Sequence, residues 1–155
     1  MTAPKAYSFK TVWHIAAPLS LVWDTITHPL NWPSWWKGVV YVVEITVGDE
    51  AGIDGITRYT WKSALPYRLT FDMQLKERVE HTYLKGIAFG ELKGTGEWYF
   101  ETLPDKTTKV ICLWNVTTEK PWMNFFSFIL RPVFSYNHTL VMKWGEQSLK
   151  KKLGV

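Results

Sequence analysis

The sequence predicts an α+β domain in which six to seven antiparallel strands precede one long C-terminal helix, with short helices after the first strand. Three observations carry this. Segments of alternating polarity recur through residues 7–118, separated by turn residues. A helical stripe of Leu19, Val22, Trp23 and Ile26 interrupts them after the first strand. Beyond Pro121 the alternation gives way to helical spacing that runs to about Leu153. At 155 residues a single domain, 1–155, is expected, and that length can bury a substantial core.

The elements follow in order. Tyr7, Phe9, Thr11, Trp13 and Ile15 alternate with Ser8, Lys10, Val12 and His14 as the first strand. It stops at Ala16-Ala17-Pro18, and Pro18 suits the first position of a helix, where its missing N–H costs nothing. Pro29 and Pro33 break the chain again before Trp35-Trp36, read as a packed turn in preference to a cavity gate. Val39 to Val47 forms a second strand and Ile56 to Lys62 a third, with Tyr59 and Trp61 on one face and Arg58, Thr60 and Lys62 on the other. After a turn at Leu65-Pro66, Tyr67, Leu69, Phe71, Met73 and Leu75 alternate with polar residues through Lys76. His81 to Leu92 and Thr95 to Thr102 flank Lys93-Gly94 as a hairpin. Thr108 to Thr118 carries Val110, Cys112, Trp114 and Val116 on one face. Glu119-Lys120-Pro121 then opens the last helix, with a kink or interruption expected at Pro132.

Hydrophobic residues at 46% and charged residues at 21% are ordinary for a soluble protein. Ten Trp, eight Phe and seven Tyr are not, and such a surplus needs a bulky core or an aromatic-lined cavity. Of the net charge of +4, the segment from Lys143 onward supplies +3, as befits a helix C-terminus. No nucleic-acid motif accompanies it, so no nucleic-acid partner is expected. No apolar run reaches the length of a membrane span, and Leu149, Leu153 and Val155 are too few to hold Lys150-Lys151-Lys152 on a bilayer, so no stable membrane insertion is expected. Cys112 stands alone and the N-terminus has no apolar secretory stretch, which together suggest a reducing, cytoplasmic setting. The sequence leaves a homodimer open.

On a helical wheel, Phe134, His138, Val141, Met142, Gly145 and Leu149 share one sector, which should face the sheet. A glycine inside a helix costs up to about 1 kcal/mol relative to alanine, so Gly145 points to a close backbone approach. His138 then faces inward, either as a core histidine with one partner or as a cavity group that bonds a ligand or moves a proton. Gly86, Ala88 and Gly90 put small residues on one strand face, whereas Glu91 has the opposite parity and should face solvent. His14, His28, His81 and Cys112 are scattered, no Gly-x-Ser-x-Gly occurs, and no Gly-Lys-Ser/Thr marks a phosphate loop. No metal or cofactor is expected.

Two segments, Ile15 to Trp36 and the run Asn137-His138, Val141-Met142, Gly145 and Leu149, resemble in this order the START-related helix-grip (SRPBCC) superfamily, and within it the polyketide cyclase/dehydrase group. The resemblance extends from Phe9 to Leu149 and implies a curved sheet gripping the last helix, with a cavity between them. Residues expected to face that cavity are Tyr59, Trp61, Phe71, Met73, Ala88, Trp98, Cys112, Trp114, His138, Val141 and Met142. The expected function is binding of an apolar small molecule, aromatic, polyketide-like or lipid-like, with His138 and Tyr59 as its polar contacts. The alternative is a cyclase or dehydratase with His138 as acid or base, which also needs a cation to polarise the substrate oxygen. By alternation Arg58 and Arg68 point outward, so the catalytic set is incomplete and binding is preferred.

Overall fold

The computed structural model describes residues 6–155 apart from 65, 67 and 119 and the side chain of Ser127. The turn expected at Leu65, the strand start at Tyr67 and the helix start at Glu119 therefore lie outside the described residues. The elements are β1 (Ala6–Ile15), α1 (Leu19–Ile26), a 3-10 turn (Pro29–Asn31), α2 (Trp32–Trp35), β2 (Val39–Thr46), β3 (Ile56–Lys62), β4 (Arg68–Val79), β5 (Tyr83–Gly90), β6 (Leu92–Thr102), β7 (Thr108–Thr118), α3 (Pro121–Phe125) and α4 (Ser127–Leu153). The strands form one antiparallel sheet in the order β1-β7-β6-β5-β4-β3-β2.

Ring contacts measure the curvature of this sheet. β1 and β3 are five strand spacings apart, about 24 Å in a flat sheet. Yet Trp13 of β1 and Trp61 of β3 both reach the indole of Trp36, at 5.3 and 5.1 Å between ring centroids. The sheet must therefore wrap, and Trp36, 1% exposed, closes it. The packed-turn reading of Trp35-Trp36 holds. Around this point Trp13, Ile15, Val22, Trp23, Ile26, Val110 and Leu149 form the tightest part of the core, each 2% exposed or less.

α4 crosses the mouth of the wrap. Its inward sector is the one the wheel predicts, with Met142, Gly145 and Leu149 buried. Trp36 Nε1 donates to the Val141 carbonyl at 3.0 Å, and the His14 N–H on the β1 edge donates to the Glu146 carboxylate at 3.0 Å. The basic residues Lys150, Lys151 and Lys152 occupy the last turn, and Gly154 terminates it in the left-handed region. Among the described residues no helix is long and apolar enough to cross a membrane.

Three local features differ from the sequence expectation. The helical break falls at Phe126, between α3 and α4, and Pro132 is carried inside α4. The ring costs the bond to the Phe128 carbonyl. Phe128 and Ile129 are exposed there, so water can take up that oxygen. Lys93-Gly94 is not the hairpin but lies within β6. β5 and β6 stop pairing at Ala88 opposite Gly94, after which β5 continues along β4 and β6 along β7, so the sheet splays. Glu91 sits in this gap instead of facing solvent, accepting the Thr70 N–H at 2.7 Å and pairing with Lys120 at 2.8 Å. The splay leaves the Thr70 amide without a strand partner, and the carboxylate replaces one. Finally, β4 runs past Lys76 to Val79 through a bulge between Leu75 and Glu77.

Gly145 should be intolerant of any side chain. A Cβ at this position would lie 2.5 and 2.6 Å from Trp36 ring atoms and 2.8 Å from Trp13, and both rings are fixed in the core. Gly145→Ala is expected to destabilise by about 1–3 kcal/mol through overpacking, despite alanine's better helix propensity. Thermal unfolding followed by circular dichroism checks this, and an unchanged midpoint would refute the packing.

Candidate functional site

Sheet, α4 and the α1–α2 turn border a cavity of about 640 Å³ that is partly open to solvent. It exists because the core is packed tightly only where Trp36 closes the wrap. Away from that point the inner face of the sheet carries large rings separated by gaps. Of the residues expected to face the cavity, Tyr59, Trp61, Phe71, Met73, Trp98, Cys112, Trp114, His138, Val141 and Met142 line it. Ala88 does not, although it lies on the inward face and is fully buried. The rings of Phe71 on β4 and Trp114 on β7 meet at 5.4 Å across the two intervening strands, and Ala88 is covered by them.

Small residues on β5 and β6 serve neighbouring side chains before they serve a ligand. A Cβ on Gly86 would come within 2.9 Å of Met73 Cε, and one on Gly96 within 2.8 Å of the Trp114 ring. Both glycines border the cavity, so Met73 and Trp114 lie flat along the sheet and the space remains above them.

The inner wall is predominantly apolar, and its polar groups are few. His138 stacks on Phe9 at 4.2 Å and 12° between planes, with no hydrogen-bond partner among the described residues. Burial pushes its pKa down to about 4, so it is a neutral imidazole at physiological pH instead of a group titrating near 6.5. Burial likewise pushes the Tyr59 phenol up, and the Cys112 thiol up to about 12, which leaves that thiol inert. Among the described residues no cluster of His, Cys, Asp and Glu could hold a metal.

Sequence reasoning missed three lining residues of chemical weight, Tyr7, Asn137 and Arg78. Tyr7 and Asn137 border the cavity with the Tyr7 hydroxyl and the Asn137 side-chain nitrogen buried and unpartnered among the described residues, and Trp61 adds an unpartnered Nε1. Asn137 is one residue off the wheel sector, and alternation places Tyr7 on the first strand without marking it as a site residue. Arg78 also faces in, because the bulge at Lys76 shifts strand parity and brings Arg78 opposite Leu84. Its guanidinium pairs with Glu80 at 3.1 Å and lies 5.4 Å from the Trp23 ring, and Trp23 Nε1 donates to the same carboxylate at 3.0 Å. Arg58 and Arg68 stay outside, Arg58 in a bidentate pair with Asp72 at 2.8 and 3.0 Å and Arg68 over the Tyr41 ring.

Comparison with known proteins places these features. The family model described as polyketide cyclase/dehydrase and lipid transport matches residues 7–153. No curated protein matches the chain. Among solved structures, the Zhui aromatase/cyclase from a Streptomyces species superposes with a TM-score of 0.75 at 13% identity, over 96% of this chain and 93% of that one. A START superfamily protein from Mycobacterium smegmatis gives 0.68 at 9% identity, over 93% and 97%. A Thalictrum norcoclaurine synthase in complex with a transition-state analogue gives 0.65 at 12% identity, over 97% and 96%. At these identities the structures share the fold.

The buried imidazole makes stability depend on pH. With a folded pKa of about 4 against about 6.5 unfolded, the unfolded chain binds more protons between those values. The contribution is therefore fully present above pH 6.5 and is lost as pH falls toward 4. Denaturant titrations should show a loss of about 1–2 kcal/mol between pH 7 and pH 5. His138→Phe, which keeps the stack on Phe9, should flatten that window, and an unaltered slope would show that another group causes it.

Proposed function

We propose that this chain, which belongs to the polyketide cyclase/dehydrase and lipid transport family, binds an apolar small molecule in the cavity between the sheet and α4. The observation that carries this reading is the cavity itself. At about 640 Å³ it falls within the range that encloses one small organic ligand, and aromatic side chains dominate its wall. Trp61, Phe71, Met73, Trp98, Trp114, Val141 and Met142 would supply burial, and His138 and Tyr59 hydrogen bonds without charge. The lone buried Cys112 suits a reducing compartment, and a cytoplasmic setting is part of the proposal.

A cyclase or dehydratase reading asks more of the same wall. It needs a base, an acid and a group that polarises a carbonyl. An imidazole held near pKa 4 is a weak base, and the inward arginine, Arg78, is already engaged by Glu80. Binding therefore accounts for the geometry with fewer requirements.

Titration with 1-aminoanthracene, a neutral aromatic fluorophore, tests the proposal. Saturable binding of one probe per chain is expected, with enhanced probe emission and quenched tryptophan fluorescence. Val141→Trp, which fills the cavity from α4, should weaken binding tenfold or more, about 1.4 kcal/mol. Non-saturable binding, or an unaffected variant, would refute the site.

A further inference from the structure

Resting on the apolar-ligand reading, we infer that Tyr7 and Asn137 form a hydrogen-bonding anchor at one end of the cavity, and that the ligand is a neutral compound with an acceptor oxygen, of ketone type. Both residues are more than nine-tenths buried, Tyr7 3% and Asn137 7% exposed. Both line the cavity, and the Tyr7 hydroxyl and the Asn137 side-chain nitrogen have no partner among the described residues. A buried polar group left unpaired is costly, so two in one apolar cavity point to something that pairs them.

They occupy the same corner. The Tyr7 ring packs edge-on against Phe134 at 6.0 Å, and Asn137 lies one helical turn beyond Phe134 on α4. The next inward residue of β1, Phe9, stacks on His138, the residue after Asn137. Arg131 lies over the Tyr7 ring, with the guanidinium 4.5 Å from the ring centroid.

The chemistry of the pair sets the ligand class. A phenol offers one O–H donor and an amide nitrogen two N–H donors, and Trp61 Nε1 adds a third donor group to the wall. A ketone oxygen carries two lone pairs and can accept from both Tyr7 and Asn137. A plain hydrocarbon would leave both donors unpaired. A carboxylate would need a compensating cation; Arg78, the arginine that lines the cavity, is committed to Glu80, and Arg131 lies over the Tyr7 ring without lining the cavity.

Fluorene, 9-fluorenone and fluorene-9-carboxylate share one tricyclic skeleton and separate these cases by displacement of 1-aminoanthracene. Fluorenone should bind at least tenfold more tightly than fluorene, and the carboxylate more weakly than fluorenone. Tyr7→Phe and Asn137→Leu should each remove most of the ketone preference while leaving fluorene affinity unchanged or improved. Tyr7→Phe deletes a single unpaired oxygen and should leave the thermal midpoint unchanged or raised, so folding does not confuse the result. Equal affinity for fluorene and fluorenone in the native protein would overturn the anchor, with only water satisfying the donors, yet leave the cavity reading standing. Tighter binding of the carboxylate would overturn the neutral-ligand assignment, and failure of all three to bind would overturn both inferences.

Discussion

The fold depends on the environment of one indole. Trp36 touches Trp13 from one side of the sheet and Trp61 from the other, hydrogen-bonds the Val141 carbonyl, and packs its ring where Gly145 has no side chain. Strand curvature, helix position and helix register are thereby coupled at one point. The contact is apolar and almost fully dehydrated, so its stabilisation comes from burial and ring packing, with the single Nε1–H bond fixing direction. A side chain at Gly145 would separate α4 from that indole and loosen all three at once.

Concentrating the packing at this point lets the rest of the sheet stay open. A side chain that faces a cavity gives up dispersion contacts a filled core would supply, so the aromatic wall around the 640 Å³ space is less stable than a packed alternative. The glycines of β5 and β6 keep that space from closing in an unexpected way. They let Met73 and Trp114 lie against the backbone, where larger residues would force those side chains up into the cavity. Room for a ligand is therefore provided by flattening large residues as much as by using small ones.

Polar chemistry enters where the sheet departs from regularity or where the helix turns slightly off its apolar sector. The bulge at Lys76 rotates Arg78 inward, and the splay beyond Ala88 and Gly94 recruits Glu91 to a backbone amide. The two charges that these irregularities bring in are matched by opposite ones, Glu80 for Arg78 and Lys120 for Glu91. The buried side-chain atoms left without partners among the described residues are neutral donors, which is the cheaper kind of buried polarity to hold in reserve for a ligand.

The sequence by itself determined the strands, the inward faces of regular segments and the helical sector from Phe134 to Leu149, because periods of 2 and 3.6 residues are written directly in the positions of apolar side chains. The long helix, the packed Trp35-Trp36 turn, the buried Cys112 and the cavity-lining identities of Tyr59, Trp61, Phe71, Trp98 and Trp114 follow from it. Tertiary structure alone decided the rest. Arg78 faces inward because one extra residue in a bulge reverses parity, and that residue has no signature in composition. Ala88 is covered because a ring from the adjacent β4 and one from β7, two strands away, meet over it, and Glu91 is engaged because two strands part company beneath it. Burial by surrounding apolar surface, and no local motif, moved His138 to a pKa of about 4 and left the Tyr7 hydroxyl and the Asn137 side-chain nitrogen unpaired among the described residues. Periodicity assigns a side chain to a face; which atoms share that face, and which of them go without a partner, is settled only when the chain closes on itself.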